Sequence, residues 1–266
     1  MKIAFIGGGN MGKAMLAAVL AGGLSSREEI TVGDISESRR ECLERKYGVN
    51  VTSNNWEAAG QGDVVILAIK PQNLAGAMAE LNGRFRSPQL VLSIIAGVRI
   101  NTLCQGLGCR RIVRVMPNTP AQVGKGMSVW TATPEVTQEQ REWASSILGT
   151  MGREIYVADE KYIDMATAIS GSGPAYVFLF AEALVEAAVQ IGISYDMAQE
   201  LVKQTISGSA IFMQSSDKLP AELRRMVTSP GGTTAAALAQ LEKGQFTELI
   251  KQAVTAAYNR ARELGG

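Results

Sequence analysis

The first twelve residues constrain the chain more than any other stretch. Gly7, Gly8, Gly9, Asn10, Met11 and Gly12 fit the spacing GxGxxG, directly behind a short apolar run at 2–6 and at the head of a helical run at 10–20. Strand, glycine turn and helix in that order open a dinucleotide-binding βαβ unit. Gly7 permits the tight turn, Gly9 lets the backbone approach a pyrophosphate, and Gly12 allows the helix to pack close to the strand. The helix N-terminus then offers unpaired N–H groups and partial positive charge to the phosphates. In a chain with 28 glycines such spacing alone is weak evidence, so its context carries the weight.

That context is supplied by the rest of the first half. The runs 2–6, 29–32, 63–69, 89–95, 111–115, 126–131 and 154–157 read as strands, and several, such as Val64-Val65-Ile66-Leu67, are continuously apolar. Such runs are expected of parallel strands covered by helices on both faces, which makes residues 1–160 a Rossmann-type α/β domain with a mostly parallel sheet. Beyond residue 160 the strand signals stop, and 161–192, 195–214, a short segment from 221, 234–243 and 246–264 read as helices. Residues 161–266 are therefore expected to form an all-α C-terminal domain. In 175–189 apolar residues occupy nearly every face, more than so small a bundle covers, so a partner subunit is expected there. Glu182 and Glu186 lie inside the most apolar stretch, 174–192, which reads as a buried helix and not a membrane span.

Composition excludes several functions. The 26 basic residues nearly balance the 25 acidic ones, leaving no net field to hold a nucleic acid or an anionic membrane. The three cysteines, Cys42, Cys104 and Cys109, form neither an even disulfide set nor a CxxC pair, which points to the reducing cytoplasm. Histidine is absent altogether. Ser-His-Asp hydrolases, Cys-His proteases and His-ligated metal sites are thereby ruled out.

The cofactor's identity turns on residue 34. Asp34 stands at the end of the second strand, where a carboxylate binds the adenosine ribose and favours NADH. Ser36, Ser38, Arg39 and Arg40 follow at once and are suited to a 2′-phosphate. An unshielded carboxylate about 5 Å from that phosphate would cost on the order of 3 kcal/mol at an effective dielectric of 20. NADPH is thus compatible only if Asp34 turns away or an arginine neutralises it. Ala68-Ile69-Lys70-Pro71 and Ile95-Ala96-Gly97 sit at the carboxyl ends of two further strands, which line the ligand crevice of an open α/β sheet.

Three longer motifs, Met116-Pro117-Asn118-Thr119-Pro120, Ser170-Gly171-Ser172-Gly173-Pro174-Ala175-Tyr176 and Ser229-Pro230-Gly231-Gly232-Thr233-Thr234, resemble the pyrroline-5-carboxylate reductases. The resemblance runs from the glycine turn to the last helix. It implies NADPH, with NADH as an alternative, bound by Ile6, Gly7, Gly8, Gly9, Asn10, Met11, the position of Asp34, Asn55, Ala68, Ile69, Lys70 and Pro71. It also implies reduction of pyrroline-5-carboxylate to L-proline in a pocket that includes Ser229, Gly231, Gly232, Thr233 and Thr234, a homodimer through the helical domain, and further assembly, commonly to a decamer. Asp34 departs from the small polar residue often found there, which puts strict NADPH preference in doubt.

The chemistry agrees with the resemblance. A cyclic imine bearing one carboxylate needs an anion site, a hydrogen-bond partner for the ring nitrogen and a hydride above the imine carbon, C5 in proline numbering. Gly231 and Gly232 are expected to present N–H groups to the carboxylate ahead of a helix dipole. Thr234 offers a hydroxyl to the nitrogen, its structural alternative being a helix N-cap. With a protonated iminium, catalysis needs mainly placement, and the missing histidine is no obstacle. Ser170 to Pro174 is expected to break the long helix, as a kink or to admit a ligand close to its glycines. A β-hydroxyacid dehydrogenase would need a lysine on that helix, and 166–202 has none; a non-catalytic NADPH sensor is the remaining rival.

Overall fold

The computed structural model describes residues 1–265. Eight strands, β1 (Ile3–Ile6), β2 (Ile30–Gly33), β3 (Asn50–Thr52), β4 (Val64–Leu67), β5 (Leu90–Ser93), β6 (Ile112–Met116), β7 (Gly126–Ala132) and β8 (Gly152–Tyr156), form one sheet in the order β3-β2-β1-β4-β5-β6-β7-β8. Every ladder is parallel except β6 with β7, and the first six strands follow the doubly wound dinucleotide-binding order. Successive side chains of a strand point to opposite faces, so each of these strands feeds two cores. Ile3, Phe5, Val64 and Ile66 meet α1 (Asn10–Ala21), α2 (Glu37–Tyr47) and α6 (Gln138–Gly149) through residues such as Met15, Leu43 and Ile147. Ala4, Ile6, Val65 and Leu67 face α3 (Asn55–Gln61), α4 (Leu74–Leu81) and α5 (Ile100–Leu107). The continuous apolar runs are buried on both sides for this reason. The expected seven strands lack β3, whose three residues are half-exposed and carry no apolar run.

The chain divides into two compact units, residues 1–172 with 257–266, and residues 173–256. This differs from the division at residue 160. Arg114 on β6, 2% exposed, pairs with Glu160 at 2.7 Å and Asp164 at 3.0 Å, which ties α7 (Lys161–Ala166) to the sheet. Gly171 closes against the Met116 side chain. The last turns of α12 (Phe246–Leu264) also count with the first unit: Leu264 packs on Gly97, and Arg99 Nε donates to the Gly265 carbonyl at 3.0 Å.

The expected helix break at 170–174 takes another form. Residues Thr167–Gly171 form a π turn, with Ser172 N–H donating to the Thr167 carbonyl at 2.8 Å, and α8 (Gly173–Gln190) continues from it. Pro174 has no N–H to give the Ser170 carbonyl; Asn118 Nδ2 donates to that oxygen instead, at 3.0 Å.

The second unit is helical: α8, α9 (Tyr195–Gln214), α10 (Pro220–Met226), α11 (Thr233–Lys243) and the first part of α12. α8 was expected to be a buried helix, yet none of its residues is buried within the single chain, and Phe178 is 64% exposed. Lys161–Gln190 is long and apolar enough to cross a membrane by length and composition. Its apolar faces have too few neighbours in one chain to cover them.

Candidate active site

The strand order reverses between β1 and β4, and the loops leaving their carboxyl ends form the crevice where ligands bind in open α/β sheets. Gly7 follows β1 with φ +100°, and a Cβ there would lie 2.7 Å from the Ala68 carbonyl oxygen, so both turn and close approach require glycine. Gly12 is held equally tightly, because a Cβ would overlap the Gly7 carbonyl. Gly9 differs: a Cβ there would meet no protein atom within 4 Å. Its open face is the one a pyrophosphate needs, at the N-cap of α1.

A cavity of about 640 Å³ lies beside this turn, lined among others by Gly7, Gly9, Asn55, Ala68, Ile69 and Lys70. Gly8 and Pro71 lie between lining residues in the chain, Asn10 and Met11 open α1 directly after Gly9, Ile6 is fully buried as the last residue of β1, and Ala96 and Gly97 follow β5. Asn55 donates to Glu80 at 2.7 Å, and the side chain of its neighbour Asn54 caps α3 by accepting from Trp56 and Glu57 N–H.

Asp34 also lines this cavity, with its carboxylate turned onto the protein's own donors. It is 4% exposed, and its carboxylate accepts from Gly8 N–H at 2.8 Å, Ser36 N–H at 2.9 Å and Arg39 Nη1 at 2.8 and 3.1 Å. Burial raises its pKa, but these donors outweigh that and hold the carboxyl below its ordinary value. Of the two conditions under which NADPH is compatible with an acid here, neutralisation by an arginine is met.

At the carboxyl end of β6, Asn118 joins three segments. Its amide nitrogen bonds the Ser170 carbonyl in the π turn, and its Oδ1 accepts from Met127 N–H on β7 at 2.8 Å. Sequence reasoning quoted this asparagine within a motif and gave it no role. The available signal was Pro174, whose missing N–H leaves one carbonyl four residues back in need of a donor.

In the second unit, Gly231 has φ +71° and leads into Gly232, the N-cap of α11. The expected pair of N–H groups from Gly231 and Gly232 is altered, because Gly232 N–H donates to the Ser229 carbonyl at 3.0 Å. The unpaired groups at this turn are instead those of the first helical residues, Thr233 onward, which have no acceptor inside the helix. Thr234 is the second residue of α11, half-buried, and is not the cap.

Comparison with known proteins accounts for the whole chain. A family model described as pyrroline-5-carboxylate reductase dimerisation matches residues 160–264, and one described as NADP oxidoreductase, coenzyme F420-dependent, matches residues 2–97. Pyrroline-5-carboxylate reductase of Synechocystis sp. is 42% identical over 265 residues, covering 100% of this chain and 98% of that protein. The Arabidopsis thaliana protein of the same name is 39% identical over 263 residues, covering 99% of this chain and 95% of its own. Among solved structures, a pyrroline-5-carboxylate reductase from Coxiella burnetii has a TM-score of 0.92 at 39% identity, covering 100% of this chain and 98% of its own. A Plasmodium falciparum pyrroline carboxylate reductase with NADP bound has a TM-score of 0.91 at 33% identity, covering 100% and 98%.

Proposed function

The chain belongs to the pyrroline-5-carboxylate reductase family, and from that premise we propose how its residues share the reduction of 1-pyrroline-5-carboxylate to L-proline, the last step of proline biosynthesis. It is an NAD(P)H-dependent oxidoreductase acting on a C=N bond. One observation carries the assignment of roles: the crevice at Gly7, Gly9 and Ala68 fits a dinucleotide, with the open face of Gly9 at a helix N-terminus. The bound nicotinamide supplies the hydride. The glycine turn of Gly7, Gly8, Gly9, Asn10 and Met11 holds the pyrophosphate. Asn55, Ala68, Ile69, Lys70 and Pro71 border the rest of the nucleotide, and Ala96 and Gly97 shape the neighbouring strand end.

The substrate carboxylate is received by the turn of Ser229, Gly231, Gly232, Thr233 and Thr234. The support is chemical: Gly231 in the left-handed region leads into an 11-residue helix whose first N–H groups are unpaired and whose dipole favours an anion. Thr234 orients the ring nitrogen, so that the hydride joins the imine carbon, which becomes C5 of proline, and the proton ends on nitrogen. No strong side-chain acid is needed if the iminium arrives protonated.

The chain self-associates through its helical part. We place it in the cytoplasm, without nucleic acid or membrane as a partner. The near-equal charge count and the free Cys42, Cys104 and Cys109 support this. Dimers assembling to a decamer is the state that sedimentation should find.

Initial rates with pyrroline-5-carboxylate and each coenzyme test the activity; oxidation of hydroxy acids without imine turnover would overturn it. Thr234→Val should lower kcat by about ten- to hundredfold, the scale of one lost hydrogen bond to the reacting group. Coenzyme affinity should hardly change. Unchanged kcat would remove Thr234 from the site.

A further inference from the structure

An acid at the end of the second strand ordinarily selects NADH by bonding the ribose hydroxyls. Here that capacity is used up. A carboxylate offers about four lone-pair directions, and Asp34 fills them with Gly8 N–H, Ser36 N–H and two contacts from Arg39 Nη1. With the residue 4% exposed, no direction is left for a sugar.

The arginines present the opposite picture. Arg39 commits only Nη1 to Asp34, its side chain is 47% exposed, and it lines the crevice cavity. Arg40 also uses one nitrogen, Nη1, on the Asp34 carbonyl at 2.7 Å. Among the described residues no acceptor is found for the Nε and Nη2 groups of either. The Ser36 and Ser38 hydroxyls, 3.1 Å apart and exposed, lie on the same short segment. Two guanidinium groups are thus clamped to the two ends of one aspartate, and each keeps donors free. Two positive charges against one negative leave the cluster net positive.

We propose that Asp34 is a positioning residue that holds Arg39 and Arg40 as a cradle for a phosphate on the adenosine 2′ oxygen, and that the enzyme therefore prefers NADPH although it carries the acid typical of NADH sites. This rests on the reductase reading above and deepens it by choosing the coenzyme. The sign of the effect is the distinctive part. If Asp34 bound ribose, removing its charge would favour NADPH; if it anchors Arg39, the same change disfavours NADPH.

Two measurements on the full-length protein separate these outcomes. The first is calorimetric binding of adenosine 2′,5′-bisphosphate and of AMP, which needs no turnover. The wild type should bind the bisphosphate at least about tenfold tighter, as charge-assisted bonds to a phosphate allow. Arg39→Ala leaves the buried Asp34 carboxylate without its ion-pair partner, so its folding is checked by its urea midpoint; it should remove most of that difference, and Arg39→Lys, which keeps the charge, should restore both the fold and part of the difference.

The second is the ratio of kcat/KM for NADPH to that for NADH. Asp34→Asn should lower it by about tenfold, the effect of one misplaced charge-assisted bond. A merely structural role would weaken both coenzymes and leave the ratio alone. A ratio raised or unchanged by Asp34→Asn, or equal binding of the two adenylates by the wild type, overturns the proposal. Turnover with neither coenzyme would instead refute the reductase reading, and the adenylate titrations would still decide the cradle.

Discussion

At Asp34, burial and hydrogen bonding act on one carboxyl in opposite directions. Burial raises the pKa, while Arg39, Ser36 N–H and Gly8 N–H lower it by more, so the folded value lies below the unfolded one. A lowered value means the contribution to stability is complete above the unfolded pKa, about 4, and is lost as pH falls through the folded pKa. Urea unfolding across the acid range should therefore show a decline below about pH 4. Asp34→Asn should lower the midpoint at neutral pH and flatten part of that decline; parallel curves would mean the pair adds nothing. The tight fits of Gly7 and Gly12 were legible in the sequence, because a missing Cβ dictates backbone geometry directly. The direction of the Asp34 carboxylate was not, since it depends on the rotamer of an arginine five residues further on. At the turn 229–234 the glycine spacing was legible, but the bond from Gly232 N–H to the Ser229 carbonyl was not, and it moves the available donors along the chain.

Between elements, Arg114 does what no periodicity reveals. It sits on β6 and reaches two carboxylates on and beside α7, with Glu160 also accepting from Ile100 N–H at 2.8 Å at the start of α5. Strand, helix and loop are thereby fixed to one another. Replacing Arg114 with Met would leave Asp164, whose side chain is 9% exposed, as an uncompensated charge. The expected loss is about 3–5 kcal/mol in urea unfolding, the usual result of breaking a buried pair from one side. A loss below about 1 kcal/mol would show that the carboxylates regain water easily. The fully buried strands were readable because apolar runs between turn signals leave few alternatives. β3 was not, being held by pairing with β2 and not by burial of its own side chains. The π turn was misread as a break, since the sequence shows the missing donor of Pro174 and not the distant asparagine that replaces it.

A compact monomer of 28.3 kDa exposes about 11,200 Å² by the usual size scaling, whereas this chain exposes 15182 Å². The apolar part of the difference lies on helices. Phe178 and Leu179 on α8, Ile211 and Phe212 on α9 and Leu249 on α12 are each more than half exposed. This much was legible from the sequence, where apolar residues occupy every face of a helix that one small bundle cannot surround. Two chains that each buried this excess of about 4,000 Å² would remove about 8,000 Å² in all, at the large end of what obligate homodimers bury, in which the folded subunit and the complex are inseparable. Unfolding is then coupled to dissociation, so the thermal midpoint of the wild type should rise with protein concentration. Phe178→Glu places a charge on the long apolar helix α8 and should shift the sedimenting mass toward 28.3 kDa, with a lower midpoint that concentration no longer raises. A wild-type species that sediments as a single chain at about 10 µM, with a concentration-independent midpoint, would mean that these faces stay in water and that the area excess has another cause.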